Sequence, residues 1–157
     1  MTRSVILLAI SWFLLLSASP ESFAQERVIS KADTDEIFAL DRAGWEKRAR
    51  QFVHPQGWTV RLQPVSTGTG VMSFDRVTGM GLSIQPLFRD ESKGPPHALV
   101  VTSHYPLGGP LSVSKSAVES IERDAKSDLG DDYDVRARTF DVSQWRAVEL
   151  SIIRKSK

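Results

Sequence analysis

The sequence predicts an α+β fold: a mainly antiparallel sheet of about six strands packed against one or two helices. Short apolar–polar alternations separated by Gly-, Pro- and Ser-rich breaks occupy the middle of the chain, between residues 58 and 103. An amphipathic helix follows near Ser116–Leu129, and a two-stranded hairpin with a single apolar face comes after it. Because the helices lie at the ends of strand runs and do not alternate with the strands, an antiparallel sheet is favoured over a doubly wound parallel one.

The helix near Ser116–Leu129 has the clearest pattern in the chain. Its apolar residues Val118, Ile121, Ala125 and Leu129 recur at spacings of three, four and four, which places them on one stripe of a 3.6-residue period. A helix of about fifteen residues is only marginally stable alone in water. We therefore expect this stripe to pack on the sheet.

The other face of this helix is charged, as is typical of a helix face that is exposed to solvent and has only a structural role. Glu119–Arg123 and Glu122–Lys126 have the spacing of helical ion pairs, worth a few tenths of a kcal/mol each. Gly130 stands where a glycine commonly ends a helix.

An earlier helix is predicted from Asp33, with Glu36 three residues on as in a capping box. Gly44 weakens this helix by about 1 kcal/mol relative to Ala. Its apolar positions are Ile37, Leu40, Trp45, Ala49 and Phe52. Its basic residues are Arg42, Lys47, Arg48 and Arg50. These basic residues are either an anionic docking patch or the solvated face of the helix, and the neighbouring acidic residues favour the second interpretation.

The strands are predicted from alternation and from the breaks between them. The six segments are Trp58–Gln63, Val71–Phe74, Met80–Ile84, Ala98–Ser103, Tyr133–Phe140 and Val148–Ile152. Pro64 and Pro86 are predicted to end the first and third strands, and 141–144 is predicted to be the turn of the hairpin. The continuous apolar run at the start of the fourth strand is typical of a strand covered on both faces.

The first 24 residues have the parts of a secretory signal peptide. Arg3 supplies the positive charge, Val5–Leu16 is almost wholly apolar, and Ser22 and Ala24 are the small residues before the cleavage point. Twelve helical residues cover about 18 Å, short of a bilayer core of roughly 30 Å, so a cleaved leader is favoured over a membrane anchor. We expect a signal peptide over 1–24, cleavage after Ala24, and a periplasmic or secreted protein.

Removing 24 of the 157 residues leaves 133, the size of one globular domain over residues 25–157. The whole chain has a formal net charge of +1, which gives no electrostatic case for a nucleic-acid or acidic-lipid partner. It contains no Cys, which excludes disulfides, thiol catalysis, thiolate metal sites and a lipid-modified cysteine. A domain of this size buries about two-thirds of its unfolded surface and does not need disulfides.

The three histidines, His54, His97 and His104, are the candidates for acid–base or metal chemistry. His97 and His104 flank the fourth predicted strand, with Asp90 and Glu91 in the adjoining loop. A strand offset of seven separates two residues by roughly 20 Å or more, whereas zinc needs ligands at about 2.0–2.2 Å. We therefore interpret them as polar residues near loops. The chain also has no Gly-x-Ser-x-Gly motif of a serine hydrolase.

Other clusters also have a functional and a structural interpretation. Asp131, Asp132 and Asp134 could bind calcium, but such a run more often lies in solvent after a helix. Gly68–Gly70 and Leu107–Pro110 are interpreted as turns, because neither has the helix, lysine and backbone donors of a phosphate loop. The mature chain has three tryptophans that could anchor a partner or a sugar, although core positions are favoured at 8% aromatic content: Trp45, Trp58 and Trp145.

The Pro-x-Gly-Trp stretch at Pro55–Trp58, a meander, a helix, and a hairpin closing on Trp145–Val148 together resemble the PsbP-like families. Those are small, often exported α/β/α sandwich domains built on an antiparallel sheet. The similarity runs from about Gln51 to Ile153. The chain stops at Lys157, before the further hairpin and strand with which such domains usually continue. The resemblance implies a binding or assembly-accessory role without catalysis, and it assigns no site residues.

Two hypotheses follow. The first is an exported, non-catalytic binding or assembly-accessory protein of unknown ligand, whose partner is another exported protein or an envelope component. It expects no catalytic residue, metal or cofactor, no nucleic acid, and no stable membrane anchor after cleavage. The alternative is a small exported hydrolase or metal-dependent enzyme that pairs a carboxylate with His54, His97 or His104.

Overall fold

The computed structural model describes residues 29–51, 58–65, 68–75, 79–89, 94–108 and 113–155, and the predicted α+β fold is confirmed. The elements are α1 (Lys31–Ile37), α2 (Arg42–Arg50), β1 (Trp58–Val65), β2 (Gly68–Asp75), β3 (Gly81–Leu87), β4 (Ala98–Pro106), α3 (Lys115–Leu129), β5 (Tyr133–Val142) and β6 (Trp145–Arg154). The leader predicted over 1–24 lies outside the described residues. Among the helices that are described, none is both long and apolar enough to cross a membrane.

The six strands form one sheet in the order β1-β2-β3-β4-β6-β5, and every neighbouring pair is antiparallel. The first four strands form the expected meander. The chain then passes through α3 to the far edge and returns along β6, which lies between β4 and β5. Directly paired residues of antiparallel strands point to the same side, so the register assigns each side chain to one of two faces.

One face of the sheet, the helix face, carries the core. Val71, Ile84, Val101, Leu150 and Ala137 are paired in turn across five strands, and all but Ala137 are almost fully buried. The helices contribute a second set of apolar side chains to the same cluster: Ile37, Phe38, Trp45, Ala49 and Leu129. The helices therefore lie on this one face.

The prediction of a single first helix is wrong, because two helices occupy its place. The side chain of Asp41 accepts a hydrogen bond from the Gly44 backbone N–H at 2.7 Å, which starts α2 as a new helix. A Cβ atom at Gly44 would lie 3.1 Å from Asp41 Oδ1, so the glycine leaves room for this cap. Gly44, predicted to weaken one long helix, therefore belongs to the first turn of a second helix.

The predicted start of the first helix is also corrected. Ser30, not Asp33, is the N-cap, and its hydroxyl accepts a hydrogen bond from the Asp33 backbone N–H at 3.1 Å. The same hydroxyl donates to the Asp33 carboxylate, which occupies the N3 position but contacts the Ser30 side chain where a capping box would contact its backbone N–H.

Helix α3 confirms its predicted pattern. Val118 and Leu129 are buried, and Ile121 and Ala125 are partly buried against the core. Gly130 ends the helix with φ +72°, a left-handed value that glycine adopts without steric cost.

Of the two ion pairs predicted on α3, one is present. Lys126 Nζ lies 2.5 Å from Glu122 Oε1. Glu119 instead lies 3.9 Å from Lys115, which is one turn toward the start of the helix, whereas Arg123 is one turn toward its end. At such exposed positions either arrangement contributes little.

Two prolines do not end their strands, contrary to prediction. In β1 the pair Val65↔Gly68 flanks a two-residue loop and is hydrogen-bonded, so the nitrogen of Pro64 points away from β2 at the sheet edge. In β3 the Leu87 carbonyl accepts the His97 backbone N–H at 2.9 Å, so Leu87 bonds toward β4 and the nitrogen of Pro86 points toward β2. The pairing of β2 with β3 has already ended at Ile84. At both positions no paired strand of the described structure lies opposite the proline nitrogen, so the missing N–H removes no hydrogen bond between strands.

The terminal hairpin is longer than predicted. Strand β5 continues to Val142, and the turn consists of Ser143 and Gln144 alone. Ser143 takes φ 54°, the positive value that the first residue of the favoured two-residue hairpin turns adopts. The predicted alternation of Val148, Leu150 and Ile152 on the helix face is confirmed, and all three are buried.

A polar cluster joins α1 to the start of β5. The hydroxyl of Tyr133 donates a hydrogen bond to Asp35, and Lys31 Nζ lies 3.1 Å from Asp35 and 3.4 Å from Asp132. The Tyr133 hydroxyl and then Lys31 hold the pKa of Asp35 below its ordinary value of 3.8. Burial, followed by the Asp35 carboxylate, raises the pKa of Tyr133 well above its ordinary value.

This cluster predicts a pH-dependent stability. A lowered carboxyl pKa stabilises the fold above the unfolded value, so the free energy of unfolding should fall as pH drops below the ordinary value of 3.8 and through the lower folded value. Replacing Tyr133→Phe should cost about 1 kcal/mol at neutral pH and make this acid-side decline shallower. Urea unfolding across this pH range checks both effects. Ser127→Ala, which changes an exposed position, should keep the slope of the parent protein, and an unchanged slope in Tyr133→Phe would contradict the assignment.

Candidate interaction surface

The second face of the sheet, here called the open face, carries no helix in the described part of the chain. Its small buried residues Ala98 and Ala147 lie outside the core cluster that the helices share. The register places its larger apolar and aromatic side chains on four strands: Met72 and Phe74 on β2, Val100 and His104 on β4, Phe140 and Val142 on β5, Trp145 and Ile153 on β6. This face is the candidate functional surface.

Exposed apolar side chains are concentrated here. Four large apolar residues are exposed in the described residues, and Phe140 (37%), Val142 (51%) and Ile153 (43%) lie on the open face. The fourth, Leu107 (44%), follows β4, and its backbone N–H donates to the Gln144 carbonyl in the hairpin turn at 2.7 Å. Leaving such side chains in water adds nothing to the stability of a domain, so their presence on one side of the sheet makes that side a candidate contact surface.

An aromatic pair occupies the end of the open face near the hairpin turn. The rings of Phe74 and Trp145 have centroids 6.4 Å apart at 57°, a tilted geometry that aromatic pairs favour. Gly81 lies under Phe74, and a Cβ atom there would stand 3.2 Å from the ring. Trp145 is half-buried, so part of its surface is accessible to a ligand.

The charges of the open face are paired along β5 and β6. Arg138 Nε lies 2.6 Å from Glu149 Oε1, and Arg136 Nε lies 3.4 Å from Asp134 Oδ2. The Arg138 guanidinium also lies 5.3 Å from the centroid of the Phe140 ring. The face therefore combines aromatic and arginine side chains with little net charge, a composition typical of the centres of protein–protein interfaces.

The structure keeps His97 and His104 apart. His97 immediately precedes β4, His104 lies within it, and an unbroken strand with this offset separates them by roughly 23 Å. His104 is on the open face, where its Nε2 is buried without a hydrogen-bond partner and burial lowers the imidazole pKa. His54 lies outside the described residues, as do Asp90 and Glu91.

The aspartates considered for calcium are divided among other contacts. Asp132 pairs with Lys31, and Asp134 pairs with Arg136. No group of three or more metal-ligating side chains is assembled within the described residues.

The remaining candidates have structural roles. Trp45 is 1% exposed and belongs to the core, whereas the side chain of Trp58 lies outside the described part. In the basic group of α2, Arg48 Nε lies 2.9 Å from Glu36, and Arg42 lies 5.6 Å from the Phe88 ring centroid. These contacts support the interpretation of α2 as scaffold.

The sequence contained a signal for the open face that our prediction missed. Alternation in β5 continues through Phe140 and Val142, but the expected turn at 141–144 hid it. Ile152 and Ile153 are adjacent in β6, and adjacent residues of a strand point to opposite faces of the sheet. Because Ile152 lies on the helix face, Ile153 must lie on the open face. Continuing the period to the strand ends would have revealed an apolar second face.

Comparison with protein-family models, curated proteins and solved structures finds no match to this chain. The class of protein is thus defined by the fold alone: an α+β domain whose six-stranded antiparallel sheet has helices on one face.

Proposed function

We propose that this chain is an exported, non-catalytic binding or assembly-accessory protein, and that its open face docks another exported protein. The observation that carries the proposal is that exposed Phe140 and Val142 lie beside half-buried Trp145 on the helix-free side of the sheet. Exposed Ile153 lies on the same side, about 20 Å farther along the strands. Export remains an expectation from the leader pattern of residues 1–24.

The composition of the open face favours a protein as its ligand. Aromatic and arginine side chains are enriched at the centres of protein interfaces, where Trp, Tyr and Arg contribute most of the binding energy. Trp145 and Arg138 are of these types, and Arg138 already has Glu149 as its counter-ion. A partner with an apolar, weakly charged surface would therefore fit this face without leaving a charge unpaired.

The alternative, a His/carboxylate hydrolase or metal enzyme, has less support. Acid–base catalysis needs two groups within hydrogen-bond reach of one substrate. His104 has no carboxylate partner in the described residues, and β4 separates it from His97.

The absence of cysteine permits a site-specific test. A photo-crosslinker attached to Ile153→Cys on the open face should give an adduct with one defined exported protein. The same reagent on Lys115→Cys, whose side chain is 90% exposed on α3, should not. Equal adducts from both positions would contradict docking through the open face.

Binding by the purified partner then provides the decisive measurement. Ile153→Glu should weaken its affinity at least about tenfold, the equivalent of 1.4 kcal/mol, whereas Lys115→Glu should leave it within about twofold. Full affinity in Ile153→Glu, or recovery of a sugar polymer and no protein, would overturn the proposal.

A further inference from the structure

The edge strand β5 is protected along only part of its length. An edge strand exposes backbone groups that can pair with another strand, and proteins usually block them. The carboxylate of Glu122 on α3 accepts the Ala137 backbone N–H at 2.7 Å, which occupies the edge at that point. Lys126 and this N–H together hold the pKa of Glu122 below its ordinary value, so the blocking group stays ionised.

Beyond Ala137 the edge is free in the described structure. Val142 and Trp145 flank a two-residue turn and are therefore a hydrogen-bonded pair, so even-numbered residues of β5 bond to β6. The odd-numbered residues point their N–H and C=O groups outward, as the Ala137–Glu122 bond confirms. Thr139 and Asp141 thus present unpaired backbone groups at the edge, next to the exposed Phe140 and Val142.

We propose that this free segment, Thr139–Val142, pairs antiparallel with the same segment of a second copy of the chain, with the two-fold axis at Phe140. Thr139 of each copy then lies opposite Asp141 of the other, and each such pair exchanges two backbone hydrogen bonds. The two Phe140 rings face each other in a non-hydrogen-bonded pair on the open face, a favourable cross-strand contact.

The neighbouring side chains are compatible with this register. Arg138 lies opposite Val142 of the second copy, and Asp141 lies opposite the Thr139 hydroxyl while keeping its own Arg146 partner at 2.8 Å. No like charges are opposed across the axis. The segment is therefore complementary to itself, which argues for a second copy over an unrelated strand.

Other two-fold registers are less favourable. An axis at Arg138 sets two guanidinium groups opposite each other, and an axis at Asp141 does the same with two carboxylates. An axis at Thr139 needs the Ala137 N–H, which Glu122 already occupies. Among the registers centred on residues 138 to 141, the position of Glu122 and the charges of β5 thus favour Phe140.

The pairing would join the two open faces into one twelve-stranded surface. It does not depend on the proposed docking function, since it concerns the edge of the sheet and not the recognition of another protein. A dimer could form without any partner, and a partner could bind a monomer at Ile153, about 20 Å along the sheet from the axis.

The first test is a disulfide across the axis. Phe140→Cys in the purified protein should form a covalent dimer under mild oxidation at least about tenfold faster than Ile153→Cys, because only residue 140 lies within disulfide distance of its own copy. Equal rates would overturn the proposal.

The second test is the mass in solution. Light scattering should give twice the chain mass for the parent protein and for Thr139→Ala, which keeps its N–H. Thr139→Pro removes an outward donor without touching the ladder to β6, so it should give a monomer with an unchanged circular dichroism spectrum. We expect a dissociation constant in the micromolar range for this dimer. A parent protein that is still monomeric at about 100 µM would therefore overturn the proposal.

A third test uses two variants of opposite charge, because a heterodimer that forms on mixing shows that both variants are folded. Phe140→Glu and Phe140→Lys should each be monomeric alone, because like charges meet at the axis, and should form a heterodimer when mixed. If the mixture stays monomeric although both variants are folded, the two-fold axis does not lie at Phe140.

Discussion

Replacing Trp45→Ala should destabilise the protein by about 3–5 kcal/mol, the range for truncating a large buried aromatic side chain. Trp45 is 1% exposed and lies in α2 among the core side chains of the helix face, including Ala49 and Val71. The loss of packing leaves a cavity that a short helix over a sheet can close only in part. The midpoint of thermal unfolding should fall by roughly 10–15 °C for a domain of this size.

The comparison for this variant is Lys47→Ala, two residues away on the exposed side of α2. It should change the free energy of unfolding by no more than about 0.5 kcal/mol in a urea titration followed by circular dichroism. A loss below about 1.5 kcal/mol in Trp45→Ala would show that α2 does not pack on the sheet as described.

Replacing Leu129→Asp should cost about 4–5 kcal/mol, a large part of the stability of a typical domain. Leu129 is fully buried at the C-terminal end of α3, so the change loses about 1.5–3 kcal/mol of burial and introduces an unpaired carboxylate. That carboxylate also lies at the negative end of the helix dipole.

Two further variants of α3 test whether the loss of stability follows the burial of the replaced residue. Ile121→Asp should cost about half as much, because Ile121 is only partly buried and its carboxylate can reach water. Lys126→Ala should stay within about 0.5 kcal/mol, since Lys126 is exposed. Equal urea midpoints for Leu129→Asp and Lys126→Ala would mean that the faces of α3 are assigned wrongly.

Local patterns were enough to predict most of the elements. The stripe of α3, its glycine end and the alternation of β6 each depend on residues a few positions apart, and the structure confirms all three. The fold class followed from the order of these elements, because helices that do not alternate with strands leave the strands to pair antiparallel.

The errors arose where neighbours distant in sequence decide the outcome. Whether Pro64 or Pro86 ends a strand depends on whether another strand faces its nitrogen, which alternation does not reveal. The split between α1 and α2 was visible at Asp41, but the apolar period across it obscured the second cap.

The proposed surface shows the same division. Amphipathic periodicity alone indicated that α3 is scaffold and that β5 and β6 present one apolar side to it. Each of these patterns depends only on residues within a single helix or strand. That the opposite side carries no helix, that Phe140 lies at an edge, and that Glu122 blocks this edge at Ala137 depend on strand order and on a contact fifteen residues apart. Those features required the folded chain, because pairing between strands is set by the packing of the whole sheet and by no local period.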